Sequence, residues 1–224
     1  MCVVHTFYCF CSNAKANNRY PLTVDVVSLI ALHAPQTRYF MDTIRNHIGN
    51  NVTFGRNFKI GQFCIIQDDV VIGDDVELES FCIIERGARI GTGCFVGTYS
   101  KVGSNANLGE RVRMTAYCEI RSNCEVGDGS TFGSRCTLSA GTIVGKNVVV
   151  KYGFVATDTP DLTAKGKKTC ILKDGSRYGA NVVIMPGIVV GVNSEIGASS
   201  QVRHDVGDNE IWYGNPAKFY RSTN

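Results

Sequence analysis

A large apolar residue recurs at every sixth position from Phe54 to Val150, and no other feature of the chain limits its folding so strongly. The series runs Phe54, Ile60, Ile66, Ile72, Leu78, Ile84, Ile90, Val96, Val102, Leu108, Met114, Ile120, Val126, Phe132, Leu138, Val144 and Val150, seventeen positions without a miss. Glycine follows at ten of the seventeen, as in Ile60-Gly61 and Val126-Gly127. Two residues ahead runs a row of smaller side chains (Val52, Cys64, Val70, Val76, Cys82, Ala88, Cys94, Ser100, Ala106), which only Phe58 breaks. An amphipathic helix needs a period of 3.6, and an antiparallel sheet shows turn signals at irregular intervals. Neither pattern is present. Three hexads instead close a triangular coil of eighteen residues, each side a short strand with alternate side chains turned inward. The large aliphatic fills the interior, the small residue sits beside it near the corner, and glycine suits the corner itself. Successive coils then stack about 4.8 Å apart through parallel ladders. The fold class is mainly β, a left-handed parallel β-helix, with the period legible from residue 52 to about 156.

The register breaks once. After Ala156 the stretch TDTPDLTAKGKKT carries no hexad, and the period resumes in a shifted phase at Leu172, Tyr178, Ile184, Val190, Ile196 and Val202. Residues 157–169 are therefore expected to form a loop extruded from one corner, and insertions in such repeats collect on a binding face; a tolerated surface loop is the competing account. Phe40, Met41, Ile44 and Ile48 stand at helical spacing, which predicts a capping helix over Arg38–Ile48. PLTVDVVSLIALH reads equally as strand or helix, and Asn215–Tyr220 as a short C-terminal helix. The expected division is an N-terminal cap segment, 1–51, and the β-helix, 52–224.

Composition narrows the partners. A net charge of +3 is too small to argue for nucleic acid or a membrane surface. No eighteen-residue apolar run is present, and MCVVHTFYCFCSN lacks a basic n-region and a cleavage site, so a cytoplasmic protein is expected. Of ten cysteines, Cys64, Cys82, Cys94, Cys118, Cys124, Cys136 and Cys170 fall in the small inward row, where cysteine packs as a small hydrophobe in a reducing compartment. Cys2, His5, Cys9 and Cys11 can be drawn as a zinc site, but their spacing matches no strong pattern, and no metal is expected.

A hexad helix with one extruded loop and the ending YGNPAK at 213–218 resembles the hexapeptide-repeat acyltransferases. The stretch RYGANVVIMPGIVVGVNSEIGASSQVRHDVGDNEIWYGNPAKFY looks like the last coils of those members that N-acetylate nucleotide-linked amino sugars, and Phe154-Val155-Ala156-Thr157-Asp158 falls where they carry a Phe-Thr-Asn/Asp sequence before the loop. The resemblance covers about residues 52–220. It implies a homotrimer with acetyl-CoA lying in the groove between neighbouring β-helices, pantetheine bonding to backbone around Ala180 and Ala198, and Arg203 and Lys218 near the phosphates or adenine. An ordinary solvated charge is the alternative for both cations. Lys165, Lys167 and Lys168 stand as assistants to a diphosphate or as a solvated loop. Where the 3-amino sugar enzymes carry adjacent asparagines near the sugar, this chain has Ser134-Arg135, and Tyr152-Gly153 replaces a Gly-Pro pair. Ser134, Arg135 and Tyr152 are thus the expected contacts to a nucleotide-linked (UDP or dTDP) amino sugar, with Arg135 toward a phosphate.

The histidines bear on the chemistry. Hexapeptide acetyltransferases that modify a hydroxyl commonly use a coil histidine as general base, whereas His5, His33 and His47 precede the period here and His204 follows the loop. A γ-class carbonic anhydrase, needing three coil histidines for zinc, is excluded on the same ground. A sugar hydroxyl is so weak an acid that its proton must leave during attack on a thioester. A neutral amine attacks unaided, and the departing thiolate accepts its proton. The expectation is an acetyl-CoA-dependent N-acetyltransferase, with Asp158 orienting the amine or merely opening an Asp-Thr-Pro turn. An O-acetyltransferase or other CoA-dependent acyltransferase of the same fold is the alternative, and a non-catalytic scaffold the third reading.

Overall fold

The computed structural model describes residues 45–160, 163 and 166–223. Over them the chain is a left-handed parallel β-helix of three faces. Face A starts at His47–Ile48 and ends at Gln201–Val202, and face B runs from Thr53–Phe54 to Val189–Val190. Face C runs from Lys59–Ile60 to Glu195–Ile196 and continues into a hairpin. Away from the loop and the C-terminal hairpin, each strand pairs in parallel with the strand eighteen residues on, as in Lys101↔Glu119 and Val102↔Ile120. The outer residue of each pair faces solvent and the inner one is the sixth-position apolar residue, so the hexad is the burial pattern itself. Glycine is needed where coils approach: a Cβ on Gly127 would lie 2.5 Å from the carbonyl carbon of Gly145 in the next coil.

The interior is one column. Ile66, Leu78, Ile84, Leu108, Met114, Ile120 and Leu138 are almost wholly buried, and the small inward row lies beside them. Phe58, the exception in that row, stacks on Phe54 at 4.8 Å in the first described coil. Sizes also invert beneath the loop, where Phe154 takes the small position, Ala156 the large one, and the Phe154 ring meets Tyr178 edge-on at 5.1 Å. The seven inward cysteines are buried and unbridged. Burial pushes the Cys94 and Cys124 thiols up to about 11, so both stay protonated. The possible zinc cluster at Cys2–Cys11, the PLTVDVVSLIALH stretch and Lys165 lie outside the described residues.

Two local expectations are corrected. His47–Ile48, the end of the expected capping helix, is the first strand of face A, with His47↔Ile65 and Ile48↔Ile66 in register, and residues 38–44 lie outside the described residues. Ile48 stands six residues before Phe54, so the coil takes it whatever its helical spacing to Ile44. At the other end Glu210–Gly214 and Ala217–Ser222 form an antiparallel hairpin in place of the expected C-terminal helix. Gly214, at φ 103°, makes the turn, and Trp212, Tyr213, Phe219 and Tyr220 suit a half-exposed sheet. Six residues are too few to hold a helix alone when an open strand edge offers hydrogen bonds. No helix among the described residues is long and apolar enough to cross a membrane.

The extruded loop is present where the period fails. Glu125 pairs with Ile143 eighteen residues on, but Ile143 pairs with Ile171 twenty-eight on, so ten additional residues leave the coil between faces A and B.

Candidate functional site

The helix has three edges, and the expected site residues fall on two of them. Between faces C and A each coil turns through three residues. From the fifth coil upward these triads read Gly133-Ser134-Arg135, Lys151-Tyr152-Gly153, Gly179-Ala180-Asn181 and Gly197-Ala198-Ser199. Ser134, Tyr152, Ala180 and Ala198 are thus successive rungs about 4.8 Å apart. Chain pairing confirms the stacking: Gly153 N–H donates to Ser134 O, Asn181 N–H to Tyr152 O and Ser199 N–H to Ala180 O, at 3.0, 2.7 and 2.8 Å. The N–H groups of Ser134, Tyr152, Ala180 and Ala198 themselves find no acceptor among the described residues. The edge carries two cations, Arg135 and Lys151, and no carboxylate in any of the four triads. With the adjoining groove on face C, lined by Lys151, Arg177, Gly179, Glu195 and Gly197 among others, it makes a trough bordered by free amide donors with a positive lower end, which suits an elongated, amide-rich and anionic ligand.

Side chains complete this edge. The hydroxyls of Ser134 and Thr115 lie 3.0 Å apart, so Ser134 is tied to the coil below. The Arg135 guanidinium stands 5.5 Å from the centroid of the Tyr117 ring. Tyr152 is half exposed. At the top Lys218 pairs with Tyr213, whose Cβ lies 2.7 Å from where a Cβ on Gly197 would be, so Lys218 belongs to the upper end of the same trough.

Asp158 and Arg203 stand elsewhere, on the edge between faces A and B from which the loop emerges. Asp158 is 7 % exposed. Lys167 Nζ lies 2.9 Å from its Oδ2, an ion pair set off the line of a directed hydrogen bond, and Thr159 Oγ1 donates to Oδ1 at 3.0 Å. The Lys168 N–H donates to the Asp158 carbonyl at 2.8 Å, so residue 158 closes the base of the loop. Lys167 foremost, with Thr159 and then Arg121, holds the carboxyl below its ordinary value against the opposing effect of burial. Arg203 is exposed, and its Nε donates to Gln201 Oε1 at 2.7 Å. His204 follows it, exposed, two rungs above Asp158. His47 is also a coil residue, on the outer side of face A.

The depressed carboxyl gives the loop base a defined pH range. Its stabilising ion pair is fully present above the unfolded value of 3.8 and is lost only as pH falls through the lower folded value. Lys167→Ala should therefore raise cleavage of the loop by subtilisin about two- to fivefold, equally across roughly pH 6 to 8. Unchanged cleavage would remove the Asp158–Lys167 pair as the loop's fastening.

One element escaped expectation. Below Arg135 the third triad position reads Phe63, Phe81, Tyr99 and Tyr117, and their rings stack at 5.2, 4.7 and 5.1 Å. Their spacing of eighteen was legible, one residue before Cys64, Cys82, Ser100 and Cys118.

No protein-family model matches this chain, and no curated protein matches it. Solved structures do. A UDP-N-acetylglucosamine acyltransferase is similar at a TM-score of 0.67 and 16% identity, over 79% of this chain and 71% of that one. The Arabidopsis UDP-N-acetylglucosamine acyltransferase is similar at 0.54 and 16%, over 80% and 73%. The polysialic acid O-acetyltransferase OatWY is similar at 0.52 and 20%, over 80% and 88%. At these identities the likeness is one of fold: this β-helix is shared with enzymes that transfer acyl groups.

Proposed function

We propose that this protein is a cytoplasmic acetyltransferase that moves the acetyl group of acetyl-CoA to the amino group of a nucleotide-linked (UDP or dTDP) amino deoxysugar. The observation that carries the reading is the trough along the edge between faces C and A, with four successive N–H donors unpaired among the described residues and the cations Arg135 and Lys151 beside them. Pantetheine is a chain of amides and would take the donors at Ala180 and Ala198, with Lys218 close to the CoA phosphates. Ser134, Arg135 and Tyr152, lower on the same edge, would hold the acceptor.

Asp158 and Arg203 cannot reach that trough within one chain, because face A lies between the two edges. In a homotrimer the loop edge of one copy would face the trough of its neighbour, and the site would be completed between copies. Asp158, kept ionised by Lys167, is a poor base but a good acceptor for an amine N–H. It would orient the nucleophile, while the amine's own lone pair attacks the thioester carbon and the thiolate leaves with the amine's proton. Positioning of this kind is a large rate term in itself. Asp158→Asn should then lower kcat by more than about threefold, and a smaller loss would remove it from the mechanism.

His204 supports a second reading, O-acetylation. It is exposed on the Asp158 edge, about 10 Å above that residue by rung spacing, and is a general base of the right type. A thiol-release assay with acetyl-CoA against nucleotide-linked amino sugars and their hydroxyl counterparts separates the two. Turnover only with amines is the expected result. Turnover only with hydroxyl acceptors, abolished in His204→Ala, would replace N- by O-acetylation, and no turnover with any acceptor would leave a non-catalytic scaffold.

A further inference from the structure

The third triad position on the edge between faces C and A reads, from the first coil upward, Phe63, Phe81, Tyr99, Tyr117, Arg135, Gly153, Asn181, Ser199. Every residue to Arg135 has φ between 58° and 62°, and Gly153 has 72°. Bulky side chains are disfavoured there, and the same position on the other two edges is filled mostly by Asn, Asp and Gly, among them Asn51, Asp69, Asn105 and Asn193. The backbone therefore does not ask for aromatics on this edge. Each inner ring of the ladder is covered on both faces by its neighbours, so the column offers no open ring face to a sugar. Its upper end is different. Tyr117 carries the Arg135 guanidinium, and Arg135 has neither an ion pair nor a side-chain hydrogen bond among the described residues. Over it comes Gly153, a rung with no side chain. The next rung up supplies Asn181, whose Oδ1 lies against the side-chain position of Gly153, as the Asn above a glycine does at Gly87–Asn105, Gly129–Asn147 and Gly175–Asn193. Tyr152, half exposed, flanks this rung, and Lys151 adds a second cation with no ion pair among the described residues.

We propose that the Gly153 rung seats the base of a nucleoside diphosphate, stacked on the free face of the Arg135 guanidinium as the next step of the aromatic ladder. This rests on the reading of a nucleotide-linked acceptor, and adds where its base sits and what holds it. A guanidinium stacks on flat rings from either side, so the Tyr117 ring below presents Arg135 as a platform. One rung of about 4.8 Å admits one planar ring. The Asn181 amide can both donate to and accept from a base edge. Arg135 and Lys151 attract the diphosphate, and Glu195, the carboxylate in the groove beside Lys151, is itself paired with Arg177 at 3.5 Å. A site for phosphate alone would need the cations but not the rings beneath them, and Tyr117 is thus a positioning residue.

Titration calorimetry of the full chain with UDP, dTDP and inorganic pyrophosphate tests this without acetyl-CoA. At least one nucleoside diphosphate should bind about tenfold or more tighter than pyrophosphate, since a base stacked on a protein platform contributes appreciably. Tyr117→Ala should weaken that nucleotide at least about fivefold and pyrophosphate less than twofold, with Tyr117→Phe retaining the affinity. Arg135→Gln should weaken both ligands. Equal binding of pyrophosphate and nucleotide, or nucleotide affinity indifferent to Tyr117→Ala, would overturn the base seat while leaving a nucleotide-linked acceptor standing. No binding of either nucleotide to the unaltered protein would overturn both.

Discussion

Replacing Phe154 by alanine is expected to lower the unfolding free energy by about 3–5 kcal/mol, read from urea denaturation. Phe154 is wholly buried, and it fills the space that Ala156 leaves two residues on. Its ring packs edge-on against Tyr178 of the next coil, across the rung where the loop departs. The void should stay largely open, because the backbone carrying the neighbouring inward residues is held by ladder hydrogen bonds on both sides. A solenoid coil touches only the coils above and below it, so the defect would also loosen the coupling between the lower and upper parts of the helix. Phe81→Ala is the matched control. That ring is 40% exposed and stacked between Phe63 and Tyr99, and its loss should cost no more than about 1–2 kcal/mol. A loss below about 1 kcal/mol for Phe154→Ala would mean that the coil beneath the loop collapses around the gap.

These two phenylalanines also show which parts of the fold were legible. Inward rows announce themselves, because burial demands an apolar residue at each sixth position and the demand repeats along the whole chain. Phe154 broke the size rule but not the apolar rule, and its coil still formed as expected. The ladder of Phe63, Phe81, Tyr99 and Tyr117 repeats just as regularly, but on the outside, where no burial rule singles it out. The misread ends have a different cause. Ile48 satisfies the hexad as well as a helical spacing to Ile44, and only pairing with Ile66 decides between them. Residues 215–220 lie past the last full coil, where the period no longer constrains them and the open edge of face C does. Within the site, a spacing of eighteen joins Ser134 to Tyr152 and Ala180 to Ala198, but the twenty-eight residues from Tyr152 to Ala180 hide that the two pairs share one edge. Crossing the loop hides the matching phase of Asp158 and Arg203, since ten added residues reset the count. The Lys167–Asp158 pair was out of reach altogether, because a loop without period gives no register from which to place one side chain against another.

The split of the site across two edges leads to a sharp expected result for mixed assemblies. A chain altered at Asp158→Asn keeps its trough, and a chain altered at Ala198→Trp keeps its loop edge but blocks the donors at the top of the trough. If each site is built from one edge of each of two copies, either variant alone should lose most of its turnover. Unfolding and refolding the two in equal amounts should restore about a quarter of the unaltered rate, since half the troughs are intact and half of those face an intact Asp158. Ala198 is exposed, and Asp158→Asn is isosteric at a buried position, so both variants should keep the fold; matching denaturation midpoints would verify this. A site contained within one chain predicts no recovery at any mixing ratio, because every chain then carries a defect. Recovery that peaks at equal mixing and falls toward either pure variant would instead require that the trough of one copy be served by the loop edge of another.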